Sequence, residues 1–317
     1  MSKRFPPAPT KFVVAERPSC LYMAMARSNS PLRYPGGKTC LYDLAAQILR
    51  LNKLERGHYA EPYAGGAGLA LTLLFEGHVS DIHLNDIDRS VWAFWDCVLN
   101  KTDAFVDLVN TTPIDMDRWY RQRDISLNPQ DFDDLALGFS TFFLNRTNRS
   151  GIIKGAGVIG GLNQEGNYKI DCRFNREELT RRIRRIAKYK SRIHLHRLDA
   201  LDFMNKMDDE LPARTFFCID PPYFNKGSSL YTSFYNPDDH AAVSQAVLGL
   251  NHPWILTYDN TPEISHLYKA RRQFGFDVNY SVQTKRVGTE LLVASKGLKM
   301  PSEVRDRLVY RPQYRSA

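Results

Sequence analysis

Four residues in the second half of the chain combine a carboxylate, two prolines and an aromatic ring: Asp220-Pro221-Pro222-Tyr223. They follow Thr215-Phe216-Phe217-Cys218-Ile219, an apolar run that reads as a short buried strand ending where the carboxylate begins. Consecutive prolines have fixed φ and no N–H, so the turn is stiff and its carbonyls are open to donors from elsewhere. A carboxylate, open carbonyls and an aromatic face on one rigid turn form a receptor for a planar ring bearing an amino group. The plain alternative is a strand-ending turn with an incidental tyrosine.

A second candidate lies upstream, where His58-Tyr59-Ala60-Glu61-Pro62-Tyr63 leads through Ala64-Gly65-Gly66-Ala67-Gly68 into Leu69–Phe75. This predicts strand, glycine turn and helix, the first unit of a doubly wound sheet. The glycines let a ligand approach the backbone closely. A dinucleotide fingerprint is excluded, because its third glycine falls on Leu71. The next strand, Asp81–Asn85, ends at Asp86, about 20 residues past the glycines and placed to accept from ribose hydroxyls. Asp88 is its rival, with N-capping of the helix from Arg89 as its ordinary role. Earlier still, Leu32-Arg33-Tyr34-Pro35-Gly36-Gly37-Lys38 precedes a helix whose stripe is Leu41, Leu44, Ala45, Ile48 and Leu49. Gly37-Lys38-Thr39 imitates the end of a P-loop, but Leu32 stands where its first glycine belongs and no strand precedes it.

Around these candidates the elements fall in order. Residues 1–30, basic and proline-rich, are expected to be a flexible arm, and 31–100 the first part of an α/β domain. From 101 to 175 the composition changes to helices of mixed charge over Asp103–Asn110, Met116–Arg123 and Leu135–Leu144, then a glycine-rich stretch in which Tyr168-Lys169-Ile170 suggests one arm of a β-hairpin. This block separates the first two strands from the later ones and is expected to be an insertion. It carries Asn145, Arg146, Arg149, Ser150 and Lys154, donors suited to phosphates and base edges. The helix Glu177–Lys190 buries Leu179, Ile183 and Ile186 and presents Arg181, Arg182, Arg184 and Arg185 without balancing acids after Glu178, a face suited to tracking a nucleic-acid backbone. Residues 176–298 complete the α/β domain, with the strand 254–258 and closing strands at 276–280 and 291–295, and 299–317 form a charged peripheral tail.

Bulk properties agree with a soluble protein that meets a polyanion. The 317 residues are 43% hydrophobic and 25% charged, with net charge +8. No apolar run approaches a membrane span, and the N-terminus lacks a signal-peptide core. Five scattered cysteines point to a reducing compartment and against a zinc site, and the eight histidines show no metal-ligand spacing. His194 and His196, alternating in a strand, are expected at the surface.

In order, RYPGGK, EPYAGGAG, NDID, FFLNRTNRSG and DPPY span most of the chain, and together they resemble the Dam-type DNA adenine-N6 methyltransferases over about Leu32 to Ser295. The resemblance implies a Rossmann-like seven-stranded mixed sheet flanked by helices, with a helical and β-hairpin target-recognition domain inserted after the second strand. It assigns Tyr34, Lys38, Glu61, Gly65, Gly66, Gly68, Asp86 and Asp220 to S-adenosylmethionine, and Asp220, Pro221, Pro222 and Tyr223 to catalysis without a metal. It implies double-stranded DNA as substrate, a cytoplasmic, nucleoid-associated setting, and a cognate restriction endonuclease as a conceivable partner. Two departures stand out: Arg-Tyr-Pro replaces the more usual Lys-Trp-Ala in the first motif, and 152–173 is rich in glycine, which leaves the recognition sequence open. Cytosine N4 and adenine in RNA present the same amine to such a turn, and a DNA-binding relative without catalysis is the rival from another class. The retained Lys38, Asp86, Asp220 and Tyr223 favour the enzyme.

Overall fold

The computed structural model describes residues 29–33, 38–224, 235–280, 286–305 and 308–310. Tyr34, residues 1–28 of the arm, Lys285 and most of the aromatic loop 230–235 lie outside them.

Five parallel strands form the heart of the sheet: β1 (Gly57–Glu61), β2 (Val79–Asn85), β3 (Ile193–His196), β4 (Thr215–Ile219) and β5 (Trp254–Asp259). β4 and β5 are buried at every position, as expected for strands covered on both faces. β6 (Arg272–Tyr280) and β7 (Arg286–Ala294) then pair antiparallel, completing the expected seven-stranded mixed sheet. An eighth strand, β8 (Leu308–Tyr310), pairs with β6 at the edge. The charged tail is therefore not wholly peripheral: it supplies this strand, and Met300 is buried.

The strand order is β3-β2-β1-β4-β5-β7-β6-β8. Chain direction across the sheet reverses between β1 and β4, so the connections leaving these two strands diverge and open a crevice beyond their carboxyl ends. Helix α1 (Tyr42–Leu51) buries Ala45, Ile48 and Leu49 of the predicted stripe; Leu44 is half-buried, and buried Leu41 lies just before the helix. Helix α2 (Gly68–Phe75) is buried from Leu69 through Leu74, which explains why its sequence is apolar on every face.

Between β2 and β3 run α3 (Arg89–Asn100), α4 (Thr102–Thr111), α5 (Met116–Leu127), α6 (Asp134–Thr147) and α7 (Arg176–Ala187). Apart from a small cluster of Ala93, Ile125 and Leu137, the apolar side chains of this stretch share the core of the sheet. Phe94 of α3, Phe105 of α4, and Phe139 and Phe142 of α6 meet edge to face or stacked, with Phe174 against Phe142, and all join the core of the sheet. Gly138 makes this possible, since a Cβ there would stand 2.7 Å from the Ala93 carbonyl oxygen.

The expected hairpin is absent from 151–175. Its one pairing is a single bridge between Asn148 and Val158, and Tyr168–Ile170 are bends and turns. Gly155, Gly160 and Gly161 take positive φ, which breaks extended backbone, and the Gln164 amide substitutes for a ladder. Its Nε2 donates to the Ile159 and Gly161 carbonyls, and its Oε1 accepts from Ile170 N.

One face of β1–β3 carries four histidines. His58 and His194 flank His83, with ring centroids at 5.2 and 4.5 Å, and His196 lies 5.9 Å from His83. His194 bonds Asp81 at 2.9 Å and is half-exposed, as expected, whereas His196 is half-buried against Phe203. Burial, then neighbouring histidines, hold His83 down to about 3; burial, then Lys206, holds His196 down to about 4. Both folded values lie below the ordinary imidazole value. Their contribution to stability is therefore present above about pH 6.5 and is lost as pH falls toward the folded values, because the unfolded chain takes up protons that the folded one refuses. Each proton adds up to about 1.4 kcal/mol per pH unit to the slope. Urea denaturation between pH 7.5 and 5 should show His83→Asn losing stability less steeply than the wild type.

Candidate active site

The strand ends are tied together by one buried side chain. Asn85, the last residue of β2, donates from Nδ2 to the Pro62 and Leu198 carbonyls at 3.0 and 3.1 Å and accepts from Leu198 N at 2.9 Å. Its own carbonyl accepts from Ala64 N. The segments leaving β1, β2 and β3 are thus fixed relative to one another before any ligand arrives.

The glycine turn is held from both sides. Gly65 has φ +48°, donates its N–H to Asp86 Oδ2 at 3.0 Å, and accepts at its carbonyl from the indole of buried Trp95 at 2.9 Å. Ala67, also left-handed at φ +46°, caps α2 without a side-chain bond. Asp86 Oδ1 accepts from Asp88 N, so this carboxylate braces the turn as well as facing the crevice. Burial, then the nearby Asp88, raises Asp86 to about 6, against the pull of the two N–H donors. Asp88 takes its ordinary role: it caps α3 through Ser90 N at 2.8 Å and pairs with Lys154 at 3.4 Å.

Lys38 joins the two carboxyl groups at the ends of β1 and β4. Its Nζ lies 3.8 Å from Glu61 Oε2 and 3.6 Å from Asp220 Oδ2, and donates to the Tyr63 carbonyl at 2.7 Å. Glu61 is only 1% exposed; its Oε1 accepts from the Tyr59 hydroxyl, while its buried Oε2 has no hydrogen-bond partner. Burial pushes the Glu61 carboxyl up, opposed by Lys38 and Tyr59. Asp220 Oδ1 accepts from the Thr257 hydroxyl at 2.7 Å, and Asp259 accepts from Phe224 N at 2.9 Å, so β5 holds the turn at two points.

A cavity of about 580 Å³ opens here. Its walls include Lys38, Glu61, Gly65, Gly66, Gly68, Asp86, Asp220 and Pro222, which brings together every described residue expected to meet the cofactor. Of the proline turn, Pro221 and Tyr223 are not among the walls. Pro221 is buried, and the Tyr223 ring lies 6.2 Å from that of Tyr258.

The expected nucleic-acid contacts divide. Asn145 is a correction: it is fully buried, donating to the Arg33 and Gly151 carbonyls and accepting from Arg33 N, so it staples residue 33 to α6 and has nothing left to offer DNA. Arg146 and Arg182 line the cavity. Burial, then Arg33, Arg182 and Arg173, lowers Arg146 to about 9, and its buried Nε has no hydrogen-bond partner. Arg149 is exposed, Ser150 is half-buried at φ +56°, and Lys154 pairs with Asp88. The basic face of α7 is less open than its sequence suggests. Glu178 binds both Arg181 and Arg182, Asp103 of α4 binds Arg184, and Arg185 lies 4.1 Å over the Phe75 ring. Arg181 remains 62% exposed.

Sequence reading missed Arg33 and Asp199, which line the cavity, and Asn85 and Thr257, which position it. The available signal for Thr257 was a polar residue between apolar ones in a buried strand; Asn85 follows polar Ser80, Asp81 and His83 in its own strand and had no such signal. Among the described residues, no cluster of histidine, cysteine or acidic side chains is placed to hold a metal ion, and no helix is long and apolar enough to cross a membrane.

A family model described as D12 class N6 adenine-specific DNA methyltransferase matches residues 34–286. A comparison with curated proteins returns no match. Among solved structures, the chain is similar to one described as a putative RNA methyltransferase from Pyrococcus horikoshii, with 9% identity over 83% of this chain and 84% of that one, TM-score 0.38. It is also similar to an rRNA methyltransferase from Streptomyces viridochromogenes, with 12% identity over 83% and 86%, TM-score 0.34.

Removing the ammonium between two enclosed carboxyl groups leaves charge uncompensated. Lys38→Met should lose about 3–5 kcal/mol at pH 8. Without Lys38 the Glu61 carboxyl rises further above its unfolded value, so the loss should shrink as pH falls and Glu61 takes a proton. Denaturant unfolding at pH 8 and 5.5 measures this, and an equal loss at both would refute it.

Proposed function

The chain belongs to the D12 class N6 adenine-specific DNA methyltransferase family, and we propose that it transfers a methyl group from S-adenosylmethionine to N6 of an adenine flipped out of double-stranded DNA. The observation that carries this reading is the placing of Asp220, on a proline-stiffened turn, in one cavity with the Gly65–Gly68 turn and Asp86.

The residues present fit the methyl donor. The cavity volume is that of a small-ligand site. Asp86 stands at the tip of β2, where ribose hydroxyls would find an acceptor, and the glycine turn admits close approach to backbone. Glu61 and Asp220 set two carboxyl groups against the one ammonium of Lys38, an environment that suits a cation. S-adenosylmethionine would supply an electrophilic methyl on a sulfonium; the amine nitrogen would bond to that carbon as the C–S bond breaks, with S-adenosylhomocysteine leaving as a neutral thioether and the nitrogen shedding one proton.

The protein's own work is on the amine. The lone pair of an exocyclic amine is delocalised into the ring, and acceptors that bind both amino hydrogens localise it toward the incoming methyl group. Asp220 Oδ2 and the Pro221 carbonyl are assigned this role, as preorganised acceptors facing developing positive charge. Holding donor and acceptor in line supplies most of the remainder. Tyr223 would stack on the base after its ring leaves Tyr258. Flipping costs a few kcal/mol, offset by stacking and phosphate contacts. Residues 101–175 would serve target recognition, with Arg149, Ser150 and Lys154 at the DNA and Arg146 and Arg182 nearer the cavity.

Asp220→Ala should abolish methylation of DNA while DNA affinity in a gel-shift assay stays within about threefold; a fully active variant would sink the assignment. Arg149→Ala and Arg181→Ala should each weaken binding on any sequence and reduce the slope of log affinity against log salt by up to about 1. An unchanged slope removes that residue from the interface.

A further inference from the structure

The two oxygens of Asp220 have different surroundings. Oδ2 faces the Lys38 ammonium at 3.6 Å, longer than a hydrogen bond, whereas Oδ1 is bonded to Thr257 at 2.7 Å. Thr257 is 2% exposed and lies in β5 between buried Leu256 and Tyr258. A hydroxyl has one proton to give. The rival acceptor is the Ile219 carbonyl at 3.5 Å, so the proton goes to Asp220. β4 and β5 pair in register at Ile219 and Leu256, which sets Thr257 directly beside Asp220. The orientation of the carboxylate is therefore dictated by the neighbouring strand rather than by the turn that carries it.

We infer that Thr257 is a positioning residue for methyl transfer: by holding Oδ1 across the sheet, it leaves Oδ2 as the oxygen presented to the substrate amine. This rests on the methyltransferase reading above. Without the hydroxyl, the carboxylate can turn about its Cβ–Cγ bond toward Lys38 and close the 3.6 Å gap, which withdraws Oδ2 from the amine. A displacement of this size is costly because rate depends steeply on the placing of reacting groups.

The test compares full-length wild type, Thr257→Val and Thr257→Ser in steady-state methylation of DNA, with S-adenosylmethionine binding followed by calorimetry. Valine matches threonine in shape and suits a buried strand. Thr257→Val should lower kcat about 10- to 100-fold while cofactor Kd and the KM for DNA stay within about twofold, and Thr257→Ser should restore most of kcat. Wild-type kcat in the valine variant, a change confined to KM, or a serine variant no better than valine would each overturn the inference. Loss of cofactor binding by the valine variant would assign the hydroxyl to folding and overturn it as well. A wild-type protein that transfers no methyl group to DNA would sink the underlying reading, and the inference with it.

Discussion

One ammonium group holds the centre of this molecule. Lys38 comes from the segment before α1, Glu61 from the end of β1 and Asp220 from the end of β4, and their meeting closes the crevice where the sheet changes direction. Two carboxyl groups this enclosed are tolerable only with a cation between them. The arrangement fixes Asp220 beside the ligand cavity and leaves Glu61 Oε2 without a hydrogen bond of its own. Under the proposed reading, stability and chemistry draw on the same side chains.

The surroundings serve that centre through hydrogen bonds that cross elements. Asn85 binds the chains leaving β1 and β3, Trp95 of α3 grips the glycine turn, and Thr257 and Asp259 of β5 steady the segment after β4. Each is short, buried or half-buried, and joins residues far apart in sequence. A cavity walled this way is largely preformed, which limits the ordering required when a ligand binds.

Charge is distributed less simply than the +8 total suggests. Much of the arginine face of α7 is engaged inside the protein, by Glu178, by Asp103 and by the Phe75 ring. The guanidinium groups of Arg33, Arg146, Arg173 and Arg182 instead lie close enough to repel one another. Three of them wall the cavity, facing a rim that also carries Glu61, Asp86, Asp88, Asp199 and Asp220, while Arg149 and Arg181 stay exposed.

Local pattern alone determined much of this protein. The apolar run before Asp220, the glycine turn after β1 and the helical periods of α1 and α7 are properties of neighbouring residues, and each element formed where its period and turn chemistry required. Asp86 and Asp220 were legible together because a doubly wound sheet gathers its strand ends at one edge, whereas Lys38 and Glu61 joined them only through the family resemblance. Tertiary structure decided what depends on partners distant in the chain. Asn145 carries the donors of a nucleic-acid contact, yet residue 33 claims them, 112 positions away. Arg184 lacks an acid further along its own helix but finds Asp103 on another. Glycines turned the expected hairpin into a loop held by the Gln164 amide. The orientation of Asp220 itself was set by Thr257, 37 residues on, because a hydrogen bond across paired strands depends on register and not on sequence distance.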